Sequence, residues 1–395
     1  MLTRTTRILA ALVILVTGVV VGLVVSSTPG ASATQATIIT LQNSKAYTPA
    51  PPQGATDDYH CTLLDPHLTS NMEIVGSQFF AGATNNTRSN EVHHAILFLV
   101  PPQYVPEAKA ANVGGHGWTC FGETALPHTF PTGTGGGAAP WLAAWAPGVP
   151  YVPEPAGTGV PFPKGSMVIM QVHYNTLITH VPEHPKLQLH VVPASTSLKP
   201  LGLDLMPAPP DVPCPANVSG PLCNRQAALA SLAQRTGRGQ VAFVDGIEAV
   251  CGRNPANPPA GDTTSCTWPI GGGREILRTA AHMHLLGRQM QIVLDPGTPQ
   301  ARTLLNVTNY DFNDQAPYNL NPPVITKPGD KVQVTCTYDP KLAQELPQLR
   351  KKAPHFVTWG DGSSDEMCLA LIQSIAAPAG AQPSTSTAPV KTTQL

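Results

Sequence analysis

The sequence predicts an all-β protein made of two antiparallel β-sandwich domains, with a short helical insertion in the second. Charged residues are only 12% of the chain, about half the roughly 25% usual in soluble domains. The 43 prolines and 34 glycines supply turn formers at a density that long helices do not tolerate. Between them lie short apolar or alternating runs, the pattern of half-buried strands. A chain of 395 residues accommodates two sandwiches of roughly 140–180 residues each.

The amino terminus reads as a targeting segment. Arg4 and Arg7 precede an uncharged apolar run from Ile8 to about Val25, and Ala31-Ser32-Ala33 suits cleavage after small residues. Residues 1–33 are therefore expected to be a signal peptide or a membrane anchor, since the run nearly suffices to cross a bilayer. Either outcome makes the remainder secreted or extracytoplasmic, and the membrane is a partner only if the segment is retained. Eight cysteines, an even number, fit an oxidising compartment. The formal net charge of -1, with no basic stripe, gives nothing that suggests a nucleic-acid partner, and none is expected.

Residues 34–55 are Thr-, Gln- and Pro-rich and read as a linker. The first sandwich is expected over 56–197, with strands at Ala95–Val100, Met167–His173 and Leu187–Val192. Pro193-Ala-Ser-Thr-Ser197 then marks a boundary, and the second sandwich is expected over 198–375, with a strand at Lys331–Cys336. Met206-Pro-Ala-Pro-Pro-Asp-Val-Pro213 opens an insertion whose one evident helix runs from Asn224 to about Arg235 and stops near Gly237. From 376 to 395 the Ser/Thr/Pro composition predicts a disordered tail.

Chemistry concentrates in four patches: His93-His94, His173, His282-Met283-His284, and Met367 within Asp-Glu-Met-Cys368. On a strand, residues i and i+2 share a face, so His282 and His284 can converge on one ion. Adjacent His93 and His94 point to opposite faces of a regular strand, so joint ligation requires a bulge there. A thioether is a soft ligand that favours Cu(I), and imidazoles without carboxylates suit copper or zinc rather than calcium or magnesium. Each histidine alone is more often structural; the set is not. His60, His67, His116, His128, His180, His184, His190 and His355 show no such grouping. No nucleophile elbow, P-loop, HExxH or dinucleotide fingerprint occurs.

The segments Val92-His-His-Ala-Ile-Leu-Phe98, Gln171-Val-His-Tyr174, His282-Met-His-Leu-Leu-Gly287, Gly329-Asp330 leading to Cys336, and Gly362-Ser-Ser-Asp-Glu-Met-Cys368 resemble the type II copper, ascorbate-dependent monooxygenases in content and order. That family includes peptidylglycine alpha-hydroxylating monooxygenase and dopamine beta-monooxygenase, and the resemblance covers most of residues 55–375. It implies two jelly-roll-like β-sandwich domains across a wet cleft. His93, His94 and His173 would hold an electron-transfer copper, and His282, His284 and Met367 a catalytic copper. The implied activity is that of an oxidoreductase acting on paired donors: O2 and ascorbate, or an equivalent one-electron donor, hydroxylate a C–H bond of a small molecule. By the same resemblance Cys61 pairs with Cys120 and Cys336 with Cys368. Cys214 and Cys223 bracket a short loop that can close locally, and Cys251–Cys266 is what is left, other pairings staying formally open.

Two departures bear on substrate. The peptide-amidating member has an arginine two residues before the His-x-His motif, where this chain has Ala280. Its asparagine and tyrosine after Glu-Met-Cys are here Leu369 and Leu371. The carboxylate clamp is missing, so an apolar or weakly polar substrate is expected. Two readings compete with the hydroxylase: a copper-binding or buffering protein without turnover, and a plain β-sandwich interaction module.

Overall fold

In the computed structural model the described residues are 35–395, less 53–54, 83–90, 127–139, 148, 150, 177–180 and 195–196. The expected signal segment, His128 and His180 lie outside them. Residues 36–395 form one compact unit. No helix among the described residues is long and apolar enough to cross a membrane.

The protein is all-β, as the sequence predicts. Strands between residues 37 and 200 build two sheets. One runs in the order Trp118–Thr119, Asp57–Leu64, Met167–Asn175, Val92–Val100, Trp141–Trp145, all antiparallel. The other runs Thr37–Gln42, Lys186–Pro193, Met72–Phe80, Thr158–Phe162, Lys199–Pro200. Ile74, Leu97, Phe162, Leu187 and Leu189 interlock between them. The first sheet is also covered on its far face by α1 (Val105–Ala111) and the segment around Cys120, which pack on Tyr59, Phe98 and Ile169. Burial on both faces explains why Met167–Asn175 reads as a mostly apolar run, while Asp57–Leu64 is buried throughout despite its polar Asp57, Asp58, His60 and Thr62.

Strands between residues 202 and 394 repeat the arrangement. One sheet runs Gly202–Pro207, Cys368–Ala376, Arg274–Met283, Tyr318–Ile325, Lys391–Gln394, and its companion Thr263–Pro269, Lys331–Tyr338, Gly287–Leu294, Arg302–Val307. Ile276, Met283, Met290, Val324, Val334 and Ile372 fill the space between the two. The Cys336–Cys368 disulfide joins one sheet to the other. Closing its 32-residue separation removes unfolded-chain entropy equivalent to about 4 kcal/mol. Cys61–Cys120, Cys214–Cys223 and Cys251–Cys266 complete the set, and there is no free cysteine.

Three segments differ from expectation. The linker contains the strand Thr37–Gln42, whose Thr-Ile-Ile-Thr-Leu-Gln run pairs with Lys186–Pro193. The carboxyl-terminal segment is not disordered throughout: Lys391–Gln394 pairs with Tyr318–Ile325 and covers what would be a sheet edge. The insertion holds two helices rather than one, α2 (Arg225–Thr236) and α3 (Arg238–Val250), meeting at Gly237. Asn224 caps α2 by accepting a hydrogen bond from the Ala227 amide at 3.1 Å. In α3 the glycines at 239 and 246 and several β-branched residues lower helix propensity. Tertiary burial of Gln240, Val244, Ile247 and Glu248, at one-face spacing, overrides that deficit.

Candidate metal centre

The strand Val92–Val100 changes register against Met167–Asn175 between Val92 and His94. This bulge is the device that adjacent histidines need. The rings of His93 and His94 lie 5.0 and 4.8 Å from that of His173, and 5.1 Å from each other. One nitrogen from each of the three comes within 4.8 Å of the others, the only group of three His, Cys, Asp or Glu so arranged that it could hold a metal ion among the described residues.

Their donor chemistry fits a soft or borderline cation. His93 Nε2, His94 Nδ1 and His173 Nδ1 are buried and make no hydrogen bond, a costly state unless something else occupies the lone pair. Burial, then the neighbouring imidazoles, hold His93 and His94 well below the usual histidine range, so both rings are neutral, the form that ligates. His173 donates from Nε2 to Asp57 Oδ1 at 3.1 Å, which leaves Nδ1 bare. Tyr59 stacks on His173 at 4.2 Å and fixes the ring plane. Burial alone would raise the Asp57 carboxyl. The His173 hydrogen bond, Lys352 and Ser363 outweigh it and hold the carboxyl low.

The second group lies where the strand Arg274–Met283 ends. His282 Nδ1 meets Gln315 Oε1 at 2.7 Å. His284 Nδ1 donates to the Asp365 carbonyl at 3.1 Å, and His284 Nε2 is buried with no partner. Burial is the main cause lowering His282 to about 4 and His284 to about 3. His282 pairs with Leu369 and Met283 with Cys368, where the register ends; Met367 directly precedes Cys368 in the chain. Its side chain packs with Trp359, Leu369 and, from the helical insertion, Leu229, Leu232, Val244 and Ile247.

The two groups do not face each other across a wet cleft. His94 lies 5.8 Å from His282 and His93 lies 6.5 Å from His284, ring centre to ring centre. Phe312 stacks on His93 at 4.1 Å and reaches the His284 ring at 6.3 Å. The five imidazoles form one cluster, held by bonds that run between the first and second sandwich. Ser363 donates its amide (3.1 Å) and hydroxyl (2.7 Å) to Asp57 Oδ1, and the Tyr59 hydroxyl donates to the Asp361 carbonyl at 2.8 Å.

Other histidines have structural partners. His60 stacks on Tyr47 at 3.5 Å, His184 bonds the Asn43 carbonyl, and His355 bonds the Ser364 carbonyl. Sequence reading missed Asp57, Tyr59, Gln315 and Phe312. Asp57-Asp58 at the head of an apolar strand was the one available signal, because paired acids are rarely buried without partners. Gln315 and Phe312 sit in a polar loop with no distinguishing pattern.

Residues 262–377 match a protein family described as "Copper type II ascorbate-dependent monooxygenase, C-terminal domain". The matched stretch holds His282, His284 and Met367. "DBH-like monooxygenase protein 2" of Mus musculus is 35% identical over 89 residues, 22% of this chain and 13% of that protein. Among solved structures, the infectious bursal disease virus VP2 subviral particle aligns over 89% of this chain and 74% of its own, with TM-score 0.20 and 8% identity. The coconut allergen cocosin aligns over 91% and 87%, with TM-score 0.16 and 8% identity. Neither value defines a shared fold.

Proposed function

We propose that this chain is an extracytoplasmic copper monooxygenase that hydroxylates a C–H bond of a small, apolar or weakly polar molecule with O2 and a one-electron donor such as ascorbate. The observation that carries the reading is the cluster of closely packed imidazoles, with bare buried nitrogens on His93, His94, His173 and His284, in a chain whose residues 262–377 match the family's C-terminal domain. Two ions are proposed: one on His93, His94 and His173, and one on His282, His284 and Met367. Copper in such sites supplies one-electron chemistry toward O2.

The chain's own residues do the rest. Asp57 and Gln315 fix which nitrogen of His173 and His282 is bare, and the Asp365 carbonyl does so for His284. Three imidazoles suit both copper oxidation states, whereas two imidazoles and a thioether leave room for a diatomic ligand. Leu205, Leu369 and Leu371 lie together beside the second group, and Ala280 offers no charge there. That lining disfavours a carboxylate and favours an apolar substrate. The two sandwiches are proposed to act as the two copper domains. The four disulfides fit an oxidising compartment.

Met367→Ala tests the reading. Ascorbate-dependent O2 uptake coupled to a hydroxylated product should vanish while the three-histidine copper keeps its spectrum; unchanged turnover removes Met367 from the site. Two bound coppers with no O2 uptake on any substrate would favour the buffering alternative.

A further inference from the structure

The helical insertion lies outside residues 262–377 that match the family, yet it grips the loop that joins the two metal groups. Its entrance and exit are pinned by Cys214–Cys223 and Cys251–Cys266. From the end of α2, Arg235 reaches Asp365 with both guanidinium nitrogens, Nη2 to Oδ1 at 2.8 Å and Nη1 to Oδ2 at 3.1 Å. From α3, Gln240 donates to the Asp361 carboxylate. The Asp365 carboxylate also receives the Gly362 amide at 3.2 Å, which folds residues 362–365 into a closed turn. The carbonyl of that same residue receives His284 Nδ1, and Met367 follows two residues later.

We propose that Arg235 is a positioning residue: through its fork on Asp365 it holds the 361–367 loop in the shape that aims His284 and Met367 at one ion. The inference rests on the copper reading above. A forked guanidinium fixes both distance and plane of a carboxylate, which a lysine cannot do. Asp365 is almost fully enclosed, its side chain 4% exposed against 22% for Arg235. The arginine therefore supplies the loop's counter-charge from the solvent side. A thioether is a weak ligand whose grip depends on placement, so loss of the fork should reach the sulfur first. The three-histidine group shares this loop only through the Ser363 and Tyr59 bonds, so it should weaken less than the His282/His284 site.

The test uses the full chain as wild type, Arg235→Gln, Arg235→Lys and Asp365→Asn. Copper X-ray absorption reads sulfur at the metal, chelator competition reads Cu(I) affinity, and amide hydrogen exchange of residues 361–367 is followed without metal. Arg235→Gln should lose the sulfur signal, weaken the His282/His284 site by about 10–100-fold and speed exchange in the loop. Arg235→Lys should recover part of each. Asp365→Asn, which keeps the carbonyl on His284, should reproduce the Arg235→Gln result and also serves if that variant does not fold. Sulfur and affinity unchanged in a folded Arg235→Gln, with only a lowered melting temperature, would overturn the inference and leave the copper reading intact. Wild type with no sulfur at copper would overturn both.

Discussion

Asp57 offers the sharpest test of how the first metal group is built. Its Oδ1 accepts from His173 Nε2 (3.1 Å), Asn175 Nδ2 (3.0 Å), the Ser363 amide (3.1 Å) and the Ser363 hydroxyl (2.7 Å). Asp57→Ala removes the acceptor of all four bonds at once. The His173 ring loses the bond that selects its tautomer, and loss of such an outer partner costs about 10–100-fold in metal affinity, or about 1.4–2.7 kcal/mol. Two donors on buried residues, His173 Nε2–H and the Ser363 amide, are left unpaired at about 1–3 kcal/mol each, so folding should weaken by about 2–6 kcal/mol. Asp57→Asn keeps a carbonyl acceptor in place and should lose less on both counts. Chelator competition for Cu(I) measures the first quantity, and denaturant unfolding of metal-free protein the second. Copper affinity unchanged in a folded Asp57→Ala protein would refute the argument that this carboxylate orients His173.

Gln315→Leu should weaken copper at His282/His284 by a similar 10–100-fold or so while leaving the three-histidine ion in place; spin resonance of the Cu(II) form separates the two. Arg278 tests the contact between the sandwiches, since it meets Glu154 at 3.6 Å and the Pro153 carbonyl at 2.9 Å. Burial raises Glu154 to about 7 against the pull of Arg278. Its folded value therefore exceeds its unfolded one, and its contribution is present at low pH and lost as pH rises through about 7. Arg278→Met should destabilise by about 3–5 kcal/mol at pH 8 and by clearly less at pH 5, where Glu154 is protonated and needs no counter-charge. Equal losses at both pH values would contradict this. Replacing both Cys251 and Cys266 by Ser should lower stability by about 3 kcal/mol, the value for a loop of this size, as read by denaturant unfolding; no loss would mean that the bridge does not constrain the insertion.

Much of the fold was legible because side-chain alternation and turn residues report burial directly. Lys331–Tyr338 alternates exposed and buried along its length and reads as a strand. The helix α3 was hidden because Gly239, Gly246 and Val241 oppose helix locally, and only burial against Trp359 and Met367 reveals its face. The strand Thr37–Gln42 was masked by its Thr- and Gln-rich neighbours. At the site, residue type and spacing marked the imidazoles, and the need for a bulge at His93-His94 could be deduced from strand geometry alone. Their mutual approach could not. It depends on long-range contacts such as Asp57 with Ser363, which are 306 positions apart in the chain and leave no local trace.

Because all five rings form one cluster, counting copper tests the central claim most directly. The account predicts two ions per full-length chain. His93→Ala or His94→Ala should remove one of them, and His282→Ala or His284→Ala the other, each leaving its neighbour bound. A single ion per chain, lost whichever histidine is replaced, would contradict it.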